Sequence, residues 1–253
     1  MKCAIHQPQF MPWLGYLHKI RSADKFVFLD NVQFKKNEFQ NRNRVLVAGT
    51  AKWLTVPVSF HFGDTLLETR IADNIPWRKK IIHAVGLNYA KAPCFHEFRE
   101  DFEGVLGQAY NNLAELNEAS VRWLMKCFDI RTEVFVSSQM GQFDSDPTRR
   151  LIDICVRAGA DTYLSGAGGH KYLETAQFEK AGIKLEFQYF RHPVYPQQHA
   201  SSSFVPTLRE VGTTEDKQLT EKSTGFAANL SAIDGLFNCG GGEAGRKKLN
   251  IGI

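Results

Sequence analysis

Short apolar stretches separated by polar turns alternate with longer helical patterns along this chain. Residues 3–5 are apolar and lead into His6 and a proline-bounded polar turn, after which apolar residues recur at helical spacing over 13–20. A second apolar run, 26–29, ends at Asp30. This order predicts two parallel strands joined by a right-handed helical crossover.

The pattern changes after Asp30 and later returns to its first form. Residues 33–43 have no period and predict an ordered loop, whereas 44–47 and 52–58 predict a β-hairpin across Gly49 and Thr50. Apolar positions over 76–130 predict helices with a break at Pro93. Predicted strands follow at 133–137, 162–164 and 183–189, with helices near 147–159 and 172–180 between them. We therefore predict an α/β fold with a Rossmann-like parallel-sheet core, an inserted β-hairpin and a helical segment.

The same pattern predicts one α/β domain over residues 1–240, with its helical subregion at about 76–130. Residues 199–228 are polar and aperiodic, which predicts a lid-like loop. A last short helix is expected at 230–237, capped by Ser231. The glycine-rich stretch that follows predicts a flexible tail over 241–253.

Composition narrows the possible partners. The 253-residue chain carries a net charge of +4, which favours anionic small molecules but is too small to argue for nucleic acid. Its five cysteines lack CxxC or CxxH spacing, so neither a disulfide framework nor a metal site is expected. There is no signal-peptide pattern and no apolar run of about 20 residues, so we predict a cytoplasmic protein without a membrane span.

The first predicted turn gathers residues that can carry chemistry. An imidazole at a strand end beside a helix N-terminus is suited to proton transfer or anion binding, so His6 is a candidate catalytic residue. Candidate substrate-binding residues around it are Gln7, Gln9, Trp13, Tyr16 and Lys19. The alternative is that His6 and the glutamines satisfy buried backbone groups at a tight turn.

Asp30 and the loop after it form a second candidate cluster. A carboxylate at the end of the second strand could orient His6, act as a base or hold a sugar hydroxyl, and it could equally be a turn former. Gln33, Lys35, Asn41, Arg42 and Asn43 are candidate donors to phosphates or hydroxyls.

A glycine-rich turn after the strand at 162–164 is the third cluster. Backbone amides in a strand–turn–helix layout can hold a phosphate, although the dinucleotide and P-loop fingerprints are both absent. The candidate binding residues here are Ser165, Gly166, Gly168, Gly169, Lys171 and Tyr172. The alternative is a flexible connection. Cys239 lies outside a clear apolar face, and a nucleophilic role would need an activating partner that the sequence does not indicate.

Several of these segments together resemble the WbqC-like proteins. The segments are HQPQFMPWLGYLHKI, ADKFVFLDNVQF, QNRNRV, WLTVPV, YLSGAGGHKYL and NLSAIDGLFNCG, and the resemblance extends from residue 3 to about 240. The chain departs from the family pattern at 208–228, which look like an insertion. The resemblance implies a link to surface-polysaccharide (lipopolysaccharide O-antigen) and amino-sugar biosynthesis.

The resemblance also implies a reaction, namely the attachment of an acyl or aminoacyl group to a nucleotide-linked amino sugar. In such a transferase His6 is expected to act as general base or oxyanion donor and Asp30 to orient it, while Asn41, Arg42 and the turn at 165–169 hold phosphates. One alternative is a non-catalytic protein that binds a nucleotide or sugar for a neighbouring enzyme. Another is a nucleotidyltransferase-like activating enzyme, although aromatic residues stand where an HxGH box would place histidines. The residues indicate no particular cofactor.

Overall fold

The computed structural model describes residues 1–197 and 226–252. The strands in this part of the chain are β1 (Lys2–His6), β2 (Lys25–Phe28), β3 (Arg42–Val47), β4 (Thr50–Thr55), β5 (Val58–Ser59), β6 (Arg70–Ile71), β7 (Glu133–Val136), β8 (Thr162–Ser165) and β9 (Lys184–Phe187). The α-helices are α1 (Leu14–Arg21), α2 (Trp77–Tyr89), α3 (Phe95–Gly107), α4 (Leu113–Cys127), α5 (Pro147–Arg157), α6 (Thr175–Lys180), α7 (Ala232–Cys239) and α8 (Gly242–Lys248). Short 3-10 helices occupy Ser137–Gln139 and Ala167–Lys171.

Five strands form a parallel sheet in the order β7-β2-β1-β8-β9. Strand β1 is central, because Cys3 is in register with Lys25 of β2 on one side and with Tyr163 of β8 on the other. Helices flank the sheet, and the arrangement confirms the predicted Rossmann-like α/β core. Helix α1 joins β1 to β2, so the predicted opening crossover is also confirmed.

Alternation along the central strands explains how the sheet packs on both faces. Ala4, Phe26 and Leu164 belong to an apolar core that also contains the buried faces of α1 to α4 and α7. Cys3, Val27 and Tyr163 belong to a second core with α5 and α6. Central strands of parallel sheets are apolar on both sides for this reason.

The inserted elements follow the predicted signals closely. The hairpin β3–β4 turns at Ala48 and Gly49, and helices α2, α3 and α4 fill the predicted helical subregion. Helix α5 begins with Pro147 after Asp146, whose side chain accepts a hydrogen bond from the Arg149 amide at 2.9 Å. Ser231 caps α7 in the same way.

Two predicted segments differ from the structure at their ends. The helix expected over 172–180 begins only at Thr175, because the 3-10 helix takes up the glycine turn before it. The tail expected to be flexible over 241–253 contains helix α8, after which Leu249 and Ile251 are fully buried. Arg246 holds this helix against the end of α4 by donating a hydrogen bond to the Phe128 carbonyl at 2.7 Å.

Two further predictions concern the chain outside these elements. The lid-like loop at about 199–228 and the insertion at 208–228 lie, apart from their last residues, outside the described part of the chain. None of the helices within 1–197 and 226–252 combines the length and the hydrophobicity that crossing a bilayer requires.

Candidate functional site

A cleft opens at the carboxyl edge of the sheet, where β1 and β8 part. The chain leaves β1 toward β2 and leaves β8 toward β9, in opposite directions along the sheet, and the β1–β8 pairing ends at Ala4 and Leu164. Open α/β sheets bind ligands at such a switch point. The volume of the cleft is about 550 Å³.

Ten of the predicted site residues line this cleft. They are His6, Gln7, Lys19, Gln33, Lys35, Ser165, Gly166, Gly168, Gly169 and Tyr172. They come from the first turn, α1, the loop after β2 and the glycine turn after β8, which the sequence separates by up to 166 positions. The remaining lining residues are Ile5, Leu29, Val32, Pro147, Arg150, Leu151 and Tyr163.

The charge of the cleft lining has one sign. Lys19, Lys35 and Arg150 contribute cationic side chains, and the lining residues within the described chain include neither aspartate nor glutamate. A cleft with low-dielectric walls and charges of one sign focuses its field on ligands of the opposite sign. The arrangement therefore favours an anionic ligand.

Lys19 lies at the point where the two central strands diverge. Its side chain crosses to β1, where Nζ donates a hydrogen bond to the Ile5 carbonyl at 2.8 Å. Ile5 lies just past the last residue of β1 that pairs with β8, so the lysine satisfies a carbonyl at the end of the ladder. Lys19 is only 3% exposed, and burial lowers its pKa to about 7.

His6 is held in a fixed orientation at the end of β1. Its Nδ1 lies 3.0 Å from the Gln7 carbonyl, so Nδ1 carries the proton and Nε2 keeps its lone pair. Tyr16 packs against the imidazole edge-on at 4.9 Å and donates its hydroxyl proton to the same carbonyl at 3.0 Å. Burial and the nearby Lys19 ammonium lower the pKa of His6 to about 3, so the ring is neutral at physiological pH.

The glycine turn at residues 165–169 forms another wall of the cleft. Ser165 ends β8, and the chain then enters the 3-10 helix Ala167–Lys171. A Cβ atom on Gly169 would lie 2.1 Å from Ser165 Oγ and 2.9 Å from Leu173 Cδ1, which is closer than atoms can approach. A side chain at position 169 would therefore force the side chains of Ser165 and Leu173 to move, whereas a Cβ on Gly168 would meet nothing within 4 Å.

Arg150 is a cleft residue that the sequence interpretation missed. Its Nε donates to the Asp144 carbonyl at 3.0 Å and its Nη2 to the Ser145 carbonyl at 3.1 Å, which fixes the guanidinium in the first turns of α5. The sequence signal that could have identified Arg150 is the Asp146-Pro147 start of α5. A helix that follows a parallel strand begins at the carboxyl edge of the sheet, so its first cationic residues lie near the ligand.

Asp30, a predicted catalytic residue, does not line the cleft. It is fully buried, and it accepts hydrogen bonds from the Ser137 hydroxyl at 2.8 Å, the Ser138 amide at 3.0 Å and the Ser138 hydroxyl at 2.6 Å. These bonds join the end of β2 to the end of β7. The carboxylate thus accepts hydrogen bonds from the two residues that follow β7. It makes no hydrogen bond to His6, the residue that it was expected to orient.

The other predicted binding residues do not line the cleft. Asn41 donates to the Val56 carbonyl at 3.1 Å and Asn43 to the Met11 carbonyl at 2.7 Å, while Arg42 stacks on Trp53 at 4.1 Å. Also outside the lining are Gln9, Trp13, Tyr16 and Lys171. Tyr16 still acts on the site through the Gln7 carbonyl, and Trp13 packs on Phe190 at 5.4 Å. Asn43 of β3 therefore holds the first turn against the hairpin, and Asn41 holds the end of the loop to the residue after β4.

Neither Cys239 nor Cys127 offers an activated thiolate. Burial raises the pKa of Cys239 to about 11 and that of Cys127 to about 12, so both thiols keep their protons at neutral pH. The described residues contain no group of three or more His, Cys, Asp or Glu side chains suited to holding a metal ion.

Fold and cleft together define an α/β protein with a Rossmann-like core and a cationic cleft at the switch point of its sheet. The model of the WbqC-like protein family matches residues 7–211, and the chain belongs to this family. It is 30% identical over 200 residues to the uncharacterized protein Rv1507c of Mycobacterium tuberculosis, an alignment that covers 78% of this chain and 86% of the relative. No solved structure matches the chain.

Proposed function

We propose that the protein is a transferase of surface-polysaccharide or amino-sugar biosynthesis that attaches an acyl or aminoacyl group to the amine of a nucleotide-linked amino sugar. The observation that carries the proposal is the cationic cleft at the switch point, which offers Lys19, Lys35 and Arg150 to an anion and, among the described residues, no acidic residue against it. Membership of the WbqC-like family supports the biosynthetic context.

The residues of the cleft suit different parts of such a substrate. Lys35, Arg150 and the turn at 165–169 are placed to hold the diphosphate, because charge-assisted and backbone hydrogen bonds favour phosphate oxygens. The amide of Gln7 is itself held, since its Oε1 accepts a hydrogen bond from Gln40 Nε2 at 2.6 Å. It can present its remaining polar group to a sugar hydroxyl.

His6 is the proposed proton acceptor for the attacking amine. With Nδ1 bound to the Gln7 carbonyl, only Nε2 is free to accept a proton, so in this tautomer the ring serves as a base and not as an oxyanion donor. Its low pKa makes it a weak base in the empty cleft. The negative charge of a bound diphosphate raises that pKa and strengthens the base where the substrate is present.

Thermal unfolding with a panel of nucleotide-diphosphate amino sugars tests binding. A ligand at 100 times its Kd adds about 2.7 kcal/mol to the free energy of unfolding, which corresponds to a rise in Tm of roughly 5–10 °C for a protein of this size. Addition of acyl donors to the ligand that binds then tests turnover. Retention of full turnover by His6→Ala would show that His6 is not the base.

A non-catalytic binding protein is the second candidate, and the environment of His6 favours it. A buried imidazole with a pKa of about 3 also suits a purely structural contact between Gln7 and Tyr16. Binding of a nucleotide sugar without turnover by any acyl donor tested, together with unchanged affinity in His6→Ala, would support this candidate over the transferase.

A further inference from the structure

We propose that Lys19 is a reactive amine that forms an imine with the carbonyl carbon of a phosphate-bearing aldehyde or ketone in the cleft. This activity goes beyond the proposed acyl transfer, and it would make the cleft a site for anionic carbonyl compounds. It rests on the position and surroundings of one side chain that the transferase proposal leaves without a chemical step.

The geometry isolates the amine from any counter-ion. Within residues 1–197 and 226–252, Nζ of Lys19 makes one hydrogen bond, to the Ile5 carbonyl, and no ion pair with an acidic residue. Lys25 provides a contrast within the same sheet. Its Nζ also donates to a carbonyl, that of Ala158 at 2.8 Å, but the Glu133 carboxylate lies 3.9 Å away and the residue is outside the cleft.

The groups around Lys19 do not compensate its charge. His6 and Cys3 face it from β1, Cys155 from α5 and Tyr163 from β8, whose ring centroid lies 5.9 Å from Nζ. Burial raises the pKa of Tyr163, and a hydrogen bond with Cys3 together with burial raises that of Cys155, so both keep their protons at neutral pH. Burial among these groups, none of which is a carboxylate, is the largest effect on the amine, and it disfavours the ammonium form.

This surrounding increases the population of the nucleophilic form. With the pKa of Lys19 at about 7, half of the side chains are neutral at pH 7. An ordinary lysine with a pKa of about 10.4 is neutral in a fraction smaller by roughly 1000-fold. Desolvated lysines of this kind are the ones that form imines in proteins.

The cleft also contains groups that can bind the phosphate of the aldehyde or ketone. Lys35 and Arg150 line the same cleft as Lys19, as do the glycines of the turn after β8. Phosphate bound there would keep the carbonyl group of a small molecule near the amine. Proximity of this kind raises the rate of an otherwise bimolecular addition.

The step balances without an oxidant or a reductant. The Nζ lone pair attacks the carbonyl carbon and forms a C–N bond, while the π electrons of the carbonyl move to its oxygen. A proton leaves nitrogen, with Nε2 of His6 or water as acceptor, and the oxygen is protonated. Loss of water then gives the C=N bond of the imine.

Reductive trapping on the intact protein tests the proposal. The probe is pyridoxal 5′-phosphate, a phosphate-bearing aldehyde, followed by sodium borohydride at pH 7 and peptide mapping by mass spectrometry. We expect the adduct to form first on Lys19, with a labelling rate at least about 30-fold above that of exposed lysines, since a lower pKa also reduces intrinsic nucleophilicity. The rate should be half-maximal at or somewhat above pH 7, because a bound phosphate raises the pKa of Lys19, yet well below the pH at which exposed lysines react, and inorganic pyrophosphate should suppress it.

Lys25 and two variants serve as controls. Wild-type Lys25 should remain unlabelled under these conditions, Lys25→Arg should leave the labelling of Lys19 unchanged, and Lys19→Arg should abolish the fast phase. Slow labelling of Lys19 with the alkaline pH dependence of exposed lysines would overturn the proposal. Fast labelling that pyrophosphate does not suppress would overturn its phosphate-binding part. Both readouts come from wild-type protein, so they do not depend on the folding of a Lys19 variant.

Discussion

Replacement of Asp30 by alanine tests whether this carboxylate supports the fold or the chemistry. The side chain is fully buried and accepts three hydrogen bonds from Ser137 and Ser138. Asp30→Ala leaves the Ser138 amide and both hydroxyls without this acceptor at the junction of β2 and β7. We therefore expect the variant to unfold more easily than wild type.

The size of the effect follows from the number and kind of these bonds. A hydrogen bond to a charged group contributes about 1.5–3 kcal/mol, and a buried donor without an acceptor costs about 1–3 kcal/mol. The Ser137 hydroxyl can still donate to Asn31 Oδ1 at 2.8 Å, and removal of a buried charge recovers part of the loss. We expect a net loss of about 2–4 kcal/mol for Asp30→Ala and about 1 kcal/mol for Asp30→Asn, which keeps one acceptor oxygen.

Urea unfolding followed by circular dichroism measures this difference. With a slope of about 3 kcal/mol per molar urea, the midpoint of Asp30→Ala should fall by roughly 1 M. Asp161→Ala is the control, because this exposed carboxylate binds the N-terminal amine at the surface and should change the midpoint little. If Asp30→Ala unfolds at the wild-type midpoint, Asp30 does not hold β2 to β7, and a direct role in the chemistry regains support.

Three further predictions concern the turn, a buried carboxylate and the cationic cleft. Gly169→Ala should weaken nucleotide-sugar binding at least about tenfold in a calorimetric titration, because its Cβ would meet Ser165 Oγ at 2.1 Å, whereas Gly104→Ala in α3, outside the cleft lining and with nothing within 4 Å of its Cβ, should bind as wild type. Burial raises the pKa of the Asp234 carboxyl group, so this group keeps its proton to higher pH in the folded protein than in the unfolded chain. The free energy of unfolding should therefore fall as pH rises from about 4 through the raised pKa. Asp234→Asn should flatten that part of the stability–pH curve, and an unchanged slope would rule out this origin. A bound anion should raise the lowered pKa of Lys19, so calorimetry near pH 7 in buffers of different ionisation enthalpy should detect proton uptake, and an absence of uptake would place the anion away from Lys19.

Sequence patterns identified much of the cleft because parallel strands bring distant chain segments to one edge. His6, Lys35 and Ser165 could be grouped in this way, since each follows or lies near the end of an apolar run. The same reasoning did not identify Arg150. It follows a recognisable helix start, but only the three-dimensional placement of α5 shows that its side chain reaches the cleft.

Polar residues in the loop were harder to interpret, because binding to a ligand and binding to the backbone require the same side chains. Asn41 and Asn43 donate to the carbonyls of Val56 and Met11, partners that periodicity does not reveal. Asp30 finds its serine donors about a hundred residues later in the chain. Such long-range pairs depend on tertiary structure, so residue type alone could not assign them to a site or to the fold.

The secondary structure of residues 241–253 also depends on tertiary contacts that sequence patterns do not reveal. Glycines at 240–242 disfavour a helix by intrinsic propensity, yet α8 begins at Gly242. Burial of Leu249 and the hydrogen bond from Arg246 to Phe128 stabilise it through tertiary contacts. Local signals could not predict this outcome.

The most direct test of the central claim is an isothermal titration of the protein with uridine diphosphate-linked amino sugars, repeated for variants of the cleft cations. Arg150→Ala and Lys35→Ala remove cations that line the cleft, whereas Arg149→Ala and Lys36→Ala remove their sequence neighbours that do not. If the cleft binds the diphosphate, each of the first pair should weaken affinity about 10- to 100-fold and the second pair by less than about threefold. Equal affinities in all four variants, or no binding by the wild-type protein to any member of the panel, would contradict the account.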